Sequence, residues 1–447
     1  MVRPVPRAER WIVLVAGFVV MTVAGTAFSW SLYTRPLMAF FGWSSVQVAL
    51  GFSFLVFFIA VGAIVGGFAH DRFGPRAVAV AGAALWGAGS ILAGLGIESL
   101  GLWWLYLTYG VVGGTGCGMV YVVPGATITK WFPEERGLAN GIILCGFGLG
   151  SLGFNLIAAS SAAFKRVADT ANTIINDRNT ALAAGHAVAL TPRMEHADIA
   201  VIAGVFFWSG VVFAVVGVLA ALALHPPPRG YSVASVAAKL ALERDFTPRE
   251  MFRTVPFYLM WAVVFVNATC GLALFSNAVA IYAKVAAVSA AFATAVFGWL
   301  SSANGFGRFV WAWASDFFGR QSTLALCFVL QGLAVIWIAF AHGPVTTGIA
   351  FALAMLCFGG IFGVAPAVMA DFYGTRFLGE DYSFIITAAG VAGILGPLLV
   401  AWLEDATGSL TSWIMPVGVV TIVAAVLPLV ARKPAAPKAA DLQPSEA

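Results

Sequence analysis

The sequence predicts an all-α membrane protein with twelve transmembrane helices in two six-helix halves. Three observations carry this reading. Of 447 residues, 61% are apolar and only 10% are charged, with a mean hydropathy of +0.93, whereas a soluble globular chain carries about 25% charged residues. Twelve apolar segments are each long enough to cross a hydrocarbon core of ~30 Å, and a polar stretch separates the first six from the last six. A short turn built around an aspartate occurs twice, once in each half.

The first six spans cover roughly residues 11–33, 44–69, 77–97, 101–129, 137–160 and 198–224. Met1 to Arg10 followed by Trp11 has the outline of a secretory signal, but its apolar stretch outruns the usual h-region and reads as a permanent first span. Between the fifth and sixth spans, residues 161–198 form a long polar loop whose Lys165, Arg166, Arg178 and Arg193 attract anions in principle; a solvated loop is the reading adopted, without a function. His225 to Arg253 follows, holding Pro226, Pro227, Pro228 and eight charged residues. Spans resume at roughly 255–283, 289–314, 321–341, 344–369, 380–403 and 411–431. This divides the chain into an N-terminal bundle (1–224), a cytoplasmic linker (225–253), a C-terminal bundle (254–431) and a disordered cytoplasmic tail (432–447).

With the N-terminus inside, the inner segments collect 17 of the 24 Lys and Arg and the outer loops six, while Arg308 lies within a span. Both termini are therefore expected on the cytoplasmic side of an inner membrane. The 49 glycines, dense in Gly110 to Gly118 and Gly141 to Gly153, suit helices that approach closely in lipid. Cys117, Cys145, Cys270, Cys327 and Cys357 all fall in apolar runs, so no disulfide framework is expected. The net charge of +4 contains no dense basic block, which argues against nucleic acid. Neither metal-ligand spacing nor paired intramembrane acids are present, so an enzyme, a metal site and a cofactor are not expected. A monomer is the working expectation, with the lipid bilayer and a small organic anion as its partners.

The repeated turn reads Gly67, three residues, then Asp71, Arg72, Phe73, Gly74, Pro75, Arg76 after the second span, and Asp316, Phe317, Phe318, Gly319, Arg320 after the eighth. About fifty residues beyond each, Pro124 and Pro366 are expected to interrupt the fourth and tenth spans, so landmarks share one order in both halves. Asp71 and Asp316 sit at helix ends beside arginines, where charge pairs and helix-terminus contacts can hold two half-bundles together in one state. Gly67, Asp71, Arg72, Gly74, Arg76, Asp316, Gly319 and Arg320 are thus assigned to a conformational switch. This pattern resembles the loop between the second and third helices of the major facilitator superfamily, although the second copy has Ala312 where the family prefers Gly.

Charge inside hydrocarbon is costly and marks function. The clear case is Arg308, eight residues before Asp316 and hence ~12 Å from the helix end, near the midplane. The acids all fall at span ends, including Asp371, Glu380, Asp381, Glu404 and Asp405, so a substrate carboxylate is the natural counter-ion. The first half has Ala63 at the equivalent place. Phe28, Trp30, Tyr33, Tyr121, Phe147, Phe358 and Phe362 are candidate walls, with Asn304 one turn before the arginine. Against this, most rings in a chain with 13% aromatics simply pack against helices or lipid.

A narrower resemblance lies in the run Gly25 to Tyr33, whose Ser29, Trp30, Leu32 and Tyr33 are similar to the first-helix motif of the oxalate:formate antiporter family. Trp131 to Gly141 resembles the loop leading to the fifth helix in that family and in monocarboxylate transporters. The resemblance implies secondary transport of small organic anions, with Arg308 and the aromatic positions Tyr121, Phe147, Phe358 and Phe362 at the site. Two departures bear on the substrate. Oxalate carriers have a lysine midway along the eleventh helix, where this sequence has Ala389, and more polar residues where it has Ala27 and Phe28. One fixed positive charge balances one carboxylate, which favours a monocarboxylate. No His falls within a span as drawn, and Asn304 stands where proton-coupled monocarboxylate transporters carry an acid, so anion exchange, uniport and proton-linked symport all stay open. The competing readings are oxalate/formate exchange, a facilitator of drugs or sugars, and a transporter-like sensor.

Overall fold

The structure is a computed structural model that describes residues 7–183, 194–228, 231, 245–407 and 411–434. Parts of the expected outer loop (184–193), linker (229–230 and 232–244) and tail (435–447) lie outside the described residues. With no water to satisfy the backbone in lipid, each apolar segment closes its own hydrogen bonds as a helix.

Helix α1 (Arg7–Gly25) passes through a 3-10 turn, Thr26–Ser29, into α2 (Ser31–Phe41), so the first crossing is a bent 34-residue run, longer than expected. Ser44 and Gln47 form a reciprocal cap on α3 (Ser45–Phe73). Next, α4 (Pro75–Leu105), a π-helical stretch (Tyr106–Gly113) and α5 (Gly114–Trp131) form one apolar run. The run reverses at Gly101 (φ 68°, ψ −148°), where the Trp104 indole donates back to the Leu92 carbonyl at 2.6 Å. Then come α6 (Arg136–Ser160), α7 (Ala162–Ala183), α8 (His196–Ala221), α9 (Val255–Ala286), α10 (Ala290–Phe318), α11 (Arg320–Phe340), α12 (Gly343–Tyr373), α13 (Leu378–Thr407) and α14 (Ile414–Val423), with a last turn at Val426–Val430.

Among the described residues, nine helical runs are long and apolar enough to cross a membrane. One of them, Pro75–Trp131, crosses twice; α10 and the shorter run Ile414–Val430 complete the twelve. Large apolar side chains such as Leu95, Trp103, Trp208, Leu219, Phe340 and Val345 point outward, as a lipid-facing surface requires.

Three expectations are corrected. The outer loop is not simply solvated: α7 is amphipathic, burying Phe164, Val167, Ala171 and Ile175 at helical spacing. It packs on α2, whose Arg35 donates to Asn172 Oδ1 at 2.8 Å. Pro124 and Pro366 do not interrupt their helices, which run through both. Finally, α3 continues to Phe73, so His70, which the span drawn to residue 69 left outside, lies within the helix and is buried.

Between the halves, α6 packs on α10 and α3 on α13. At the first crossing Gly148 and Gly305 touch backbone to backbone, where a Cβ on Gly148 would collide with the Gly305 Cα. This is small-residue packing in lipid.

Candidate functional site

Arg308 is carried on α10 one helical turn beyond Gly305 of that crossing and is 4% exposed. Its Nε donates to Asn304 Oδ1 (3.2 Å), one helical turn earlier, and its Nη1 donates to the Tyr121 hydroxyl (3.1 Å) on α5 of the other half. The guanidinium carbon lies 4.9 Å from the Phe147 ring centre and 5.3 Å from that of Phe362, within cation–π range. Among the described residues no carboxylate forms an ion pair with it. Two of five N–H donors are engaged, and the rest remain for a ligand.

Arg308 lines a cavity of about 60 Å³ together with Phe28, Tyr121, Phe147, Phe358, Phe362 and a set of aliphatic residues. At about 10–15 Å³ per water-sized probe, this is room for about four to six such groups. Ala389 of α13 borders the same cavity, as do Val56, Ile59 and Ala60 of α3. The Tyr121 hydroxyl accepts from Arg308, which leaves its own O–H as a donor for the neighbouring Tyr382 or for a ligand. A smaller chamber of about 20 Å³, bounded by Ser151, Phe275 and Asn304, shares Phe28, Phe147, Arg308 and Phe358 with the first. Phe28 sits in the 3-10 turn, edge-on to Phe52 (5.8 Å), Phe147 (5.4 Å) and Phe275 (6.1 Å). A larger apolar cleft of about 620 Å³ lies among α9, α13 and α14, bounded by Phe265, Leu399, Trp402 and Val420, and among the described residues no charged side chain borders it.

At one end of the bundle the repeated turns form two joints. Gly74 (φ 83°) and Gly319 (φ 85°) adopt the same left-handed-side conformation, which accounts for glycine at both. Asp316, at the end of α10, accepts from the backbone N–H of Gly137 (3.0 Å) and Leu138 (2.8 Å), the first turn of α6. Arg320 pairs with Asp316 (2.6 Å) and with Asp371 (3.1 Å), and Arg136 pairs with Asp371 (2.7 Å). In the other joint Asp71 accepts from the N–H of Glu380 (3.1 Å), in the first turn of α13, and Gly67 packs against Gly379. Each aspartate thus caps a helix N-terminus from the opposite half, where carboxylates are stabilised.

A profile of the Major Facilitator Superfamily matches residues 11–303 and 270–447, which together take in nearly the whole chain. The chain belongs to the major facilitator superfamily. It is a membrane transporter of that type. The oxalate:formate antiporter of Oxalobacter formigenes is 27% identical over 391 residues, 87% of this chain and 83% of that protein. Apicoplast pyruvate carrier 1 of Toxoplasma gondii is 27% identical over 368 residues, 73% of this chain and 64% of the carrier. Among solved structures, the E. coli fucose:proton symporter FucP superposes with a TM-score of 0.66 at 15% identity, covering 96% of this chain and 99% of FucP, a likeness of fold alone.

In this facilitator the sequence-based site residues separate into two groups. Arg308, Asn304, Tyr121, Phe28, Phe147, Phe358 and Phe362 converge on the two chambers. Tyr33 and Trp30 do not: Tyr33 stacks on Phe206 (4.0 Å) and Trp30 lies against Tyr109 (5.4 Å), both inside the first half. Of the switch residues, Arg72 and Arg76 are solvent-exposed, and neither pairs with Asp71 among the described residues; its partner is His70, at 2.7 Å. Two residues escaped sequence reasoning. His70 was hidden by a span drawn one turn short, and Asp381 by its position at a span end, which suggests solvation, whereas its side chain is completely buried.

Proposed function

We propose that the protein carries small organic anions, foremost monocarboxylates, by alternating access across an inner membrane. The joint end faces the cytoplasm together with both termini, residues 225–253 link the bundles 1–224 and 254–431, and 432–447 is a tail. The single observation that carries the substrate reading is Arg308: a buried cation, bordering a cavity, with only neutral partners among the described residues. A carboxylate entering the cavity meets the guanidinium and the Tyr121 O–H, while its tail meets Phe28, Phe358, Phe362 and aliphatic side chains. The resulting complex is neutral, so the closed cavity encloses no net charge. The apolar walls leave a second carboxylate without a partner.

The mechanism follows from the two joints. Asp71 on α13 and Asp316 on α6 hold the cytoplasmic ends of the halves together. Release of both caps lets the halves rock about the crossing of α6 and α10 and opens the cavity to the cytoplasm. A second reading, oxalate/formate exchange, is favoured by the antiporter relative. Competition by formate, lactate, pyruvate and oxalate against labelled lactate in proteoliposomes separates the two. Monocarboxylates are expected to compete more strongly than oxalate; tighter binding of oxalate than of every monocarboxylate removes the one-cation argument. Competition only by sugars or lipophilic drugs removes the anion reading altogether.

A further inference from the structure

The two joints share a framework and differ in their buried residues, among them the one two positions beyond the glycine that meets each aspartate. In α6, Gly137 lies against Asp316, and two residues on, Ala139 is buried. In α13, Gly379 lies against Asp71, and two residues on stands Asp381, with no exposed surface. Where one half seats a methyl group, the other seats a carboxyl. The framework itself therefore does not require an acid there.

Neither oxygen of Asp381 has a hydrogen-bond partner among the described residues. Among the described residues the charged groups acting on it are acids: Asp71 from α3, Glu380 from its own helix, and Asp245 from the segment before α9. Tyr373 of α12 faces it as well. Of the basic groups of this joint, His70 pairs with Asp71 and Lys130 of α5 lies near Asp71 and Asp245; neither pairs with Asp381 among the described residues. An ionised carboxylate sealed from water without hydrogen bonds is far costlier than a neutral carboxylic acid.

We propose that Asp381 is a proton-binding site: the joint between α3 and α13 takes up one proton on this carboxyl as it closes and returns it as it opens. Asp381 does not border the cavity, whose α13 residues begin at Ile386. The proton therefore enters and leaves through the joint itself, on the same side, and none is carried across. The proton concentration on that side sets how readily the joint closes. The sign is fixed by which state holds the proton. Acid favours the closed joint, and between the proton affinities of the open and closed forms the closed-to-open ratio falls about tenfold per pH unit as pH rises. This requires no assumption about the substrate, so it stands or falls separately from the anion reading.

The test uses the full-length protein in nanodiscs. Infrared titration should show a carboxylic-acid carbonyl band in wild type that is missing in Asp381→Asn. Independently, Ser383→Cys places a thiol at a buried position that packs against Gly67 of α3 in the closed joint. Its maleimide labelling should accelerate with pH beyond the intrinsic behaviour of a thiol, by up to about tenfold per unit. In Asp381→Asn and in Asp381→Ala, which copies the residue of the other half, that excess should vanish. An infrared spectrum unchanged by Asp381→Asn, or identical labelling profiles with and without Asp381, overturns the proposal. A profile that shifts when sodium is replaced by choline also overturns it, by assigning the site to a metal cation.

Discussion

Replacing Arg308 by glutamine removes the one cation that borders the cavity among the described residues while retaining a side chain able to reach Tyr121. A carboxylate about 4 Å from the guanidinium gains about 4 kcal/mol at an effective dielectric of about 20. Losing this interaction is expected to weaken binding by about a thousandfold, at about 1.4 kcal/mol per decade. Arg308→Lys keeps the charge but not the planar fork that bonds Asn304 and Tyr121 while offering parallel donors to a ligand. The loss of one charge-assisted hydrogen bond, about 1.5–3 kcal/mol, predicts weakening of roughly ten- to a hundredfold for lysine. Stability discriminates a ligand-binding arginine from a structural one. Were Arg308 the partner of a buried acid, Arg308→Gln would strand that acid and destabilise the fold by about 3–5 kcal/mol; with neutral partners only, the glutamine variant is expected to melt no lower than wild type. The measurements are equilibrium binding of labelled lactate to monodisperse protein and thermal unfolding of the same samples. Unchanged lactate binding by well-folded Arg308→Gln refutes the assignment.

Tyr121→Phe removes the acceptor for Arg308 Nη1 and the phenolic donor to the ligand; lactate affinity should fall at least about tenfold, since one hydrogen bond to a charged group contributes about 1.5–3 kcal/mol, and an unchanged affinity would place the substrate elsewhere. Asp71→Asn weakens the cap on α13 and the contact with His70, so turnover in proteoliposomes should slow severalfold while equilibrium binding stays close to wild type; lost affinity with unchanged turnover would contradict a role in the joint. Ala389→Lys adds a second cation to the cavity shared with Arg308. Competition by oxalate relative to lactate should then rise by an order of magnitude or more, and no change would show that valence is not set there.

Much of the fold is legible because lipid simplifies the code. Apolar length alone marks each crossing, and the spans drawn at 137–160, 321–341 and 344–369 lie within a few residues of α6, α11 and α12. Failures occur where amphipathic or turn chemistry replaces bulk hydropathy. Polar residues in α7 disguise a buried stripe of Phe164, Val167, Ala171 and Ile175. The proline rule misleads at Pro124 and Pro366 because neighbouring helices hold those segments helical. At the site, Arg308 is conspicuous as a lone charge, and the aromatic positions implied by the family resemblance converge on it. Tyr33 belongs to the same sequence motif as Phe28 but follows the 3-10 turn at Thr26–Ser29, which redirects it toward Phe206. A change of helix geometry of that size leaves no signal in composition. Asp381 is the reverse case, a polar residue that depth along the chain suggests is wet and that three-dimensional packing makes dry.

Departures from the internal repeat carry more functional information than its conserved parts. Matched positions such as Gly74 and Gly319, or Asp71 and Asp316, answer a need common to both halves: a tight turn and an anion at the opposing helix start. Such positions explain how the halves meet, and any solute could use them. Arg308 has Ala63 as its counterpart, and Asp381 has Ala139, so in each pair one half tolerates a methyl group at a buried place while the other retains an ionisable group. Burying a charge or an unpartnered acid is unfavourable for folding, and the alanine shows that the geometry does not need it. The remaining explanation for each is a ligand: an anion for the guanidinium in the cavity, and a proton for the carboxyl in the joint. The two lie in different places, Arg308 bordering the cavity and Asp381 outside it at the start of α13. What binds and when the joint closes can thus be altered separately. Arg308→Gln should abolish anion binding and leave the pH dependence of Ser383→Cys labelling intact, whereas Asp381→Asn should do the opposite.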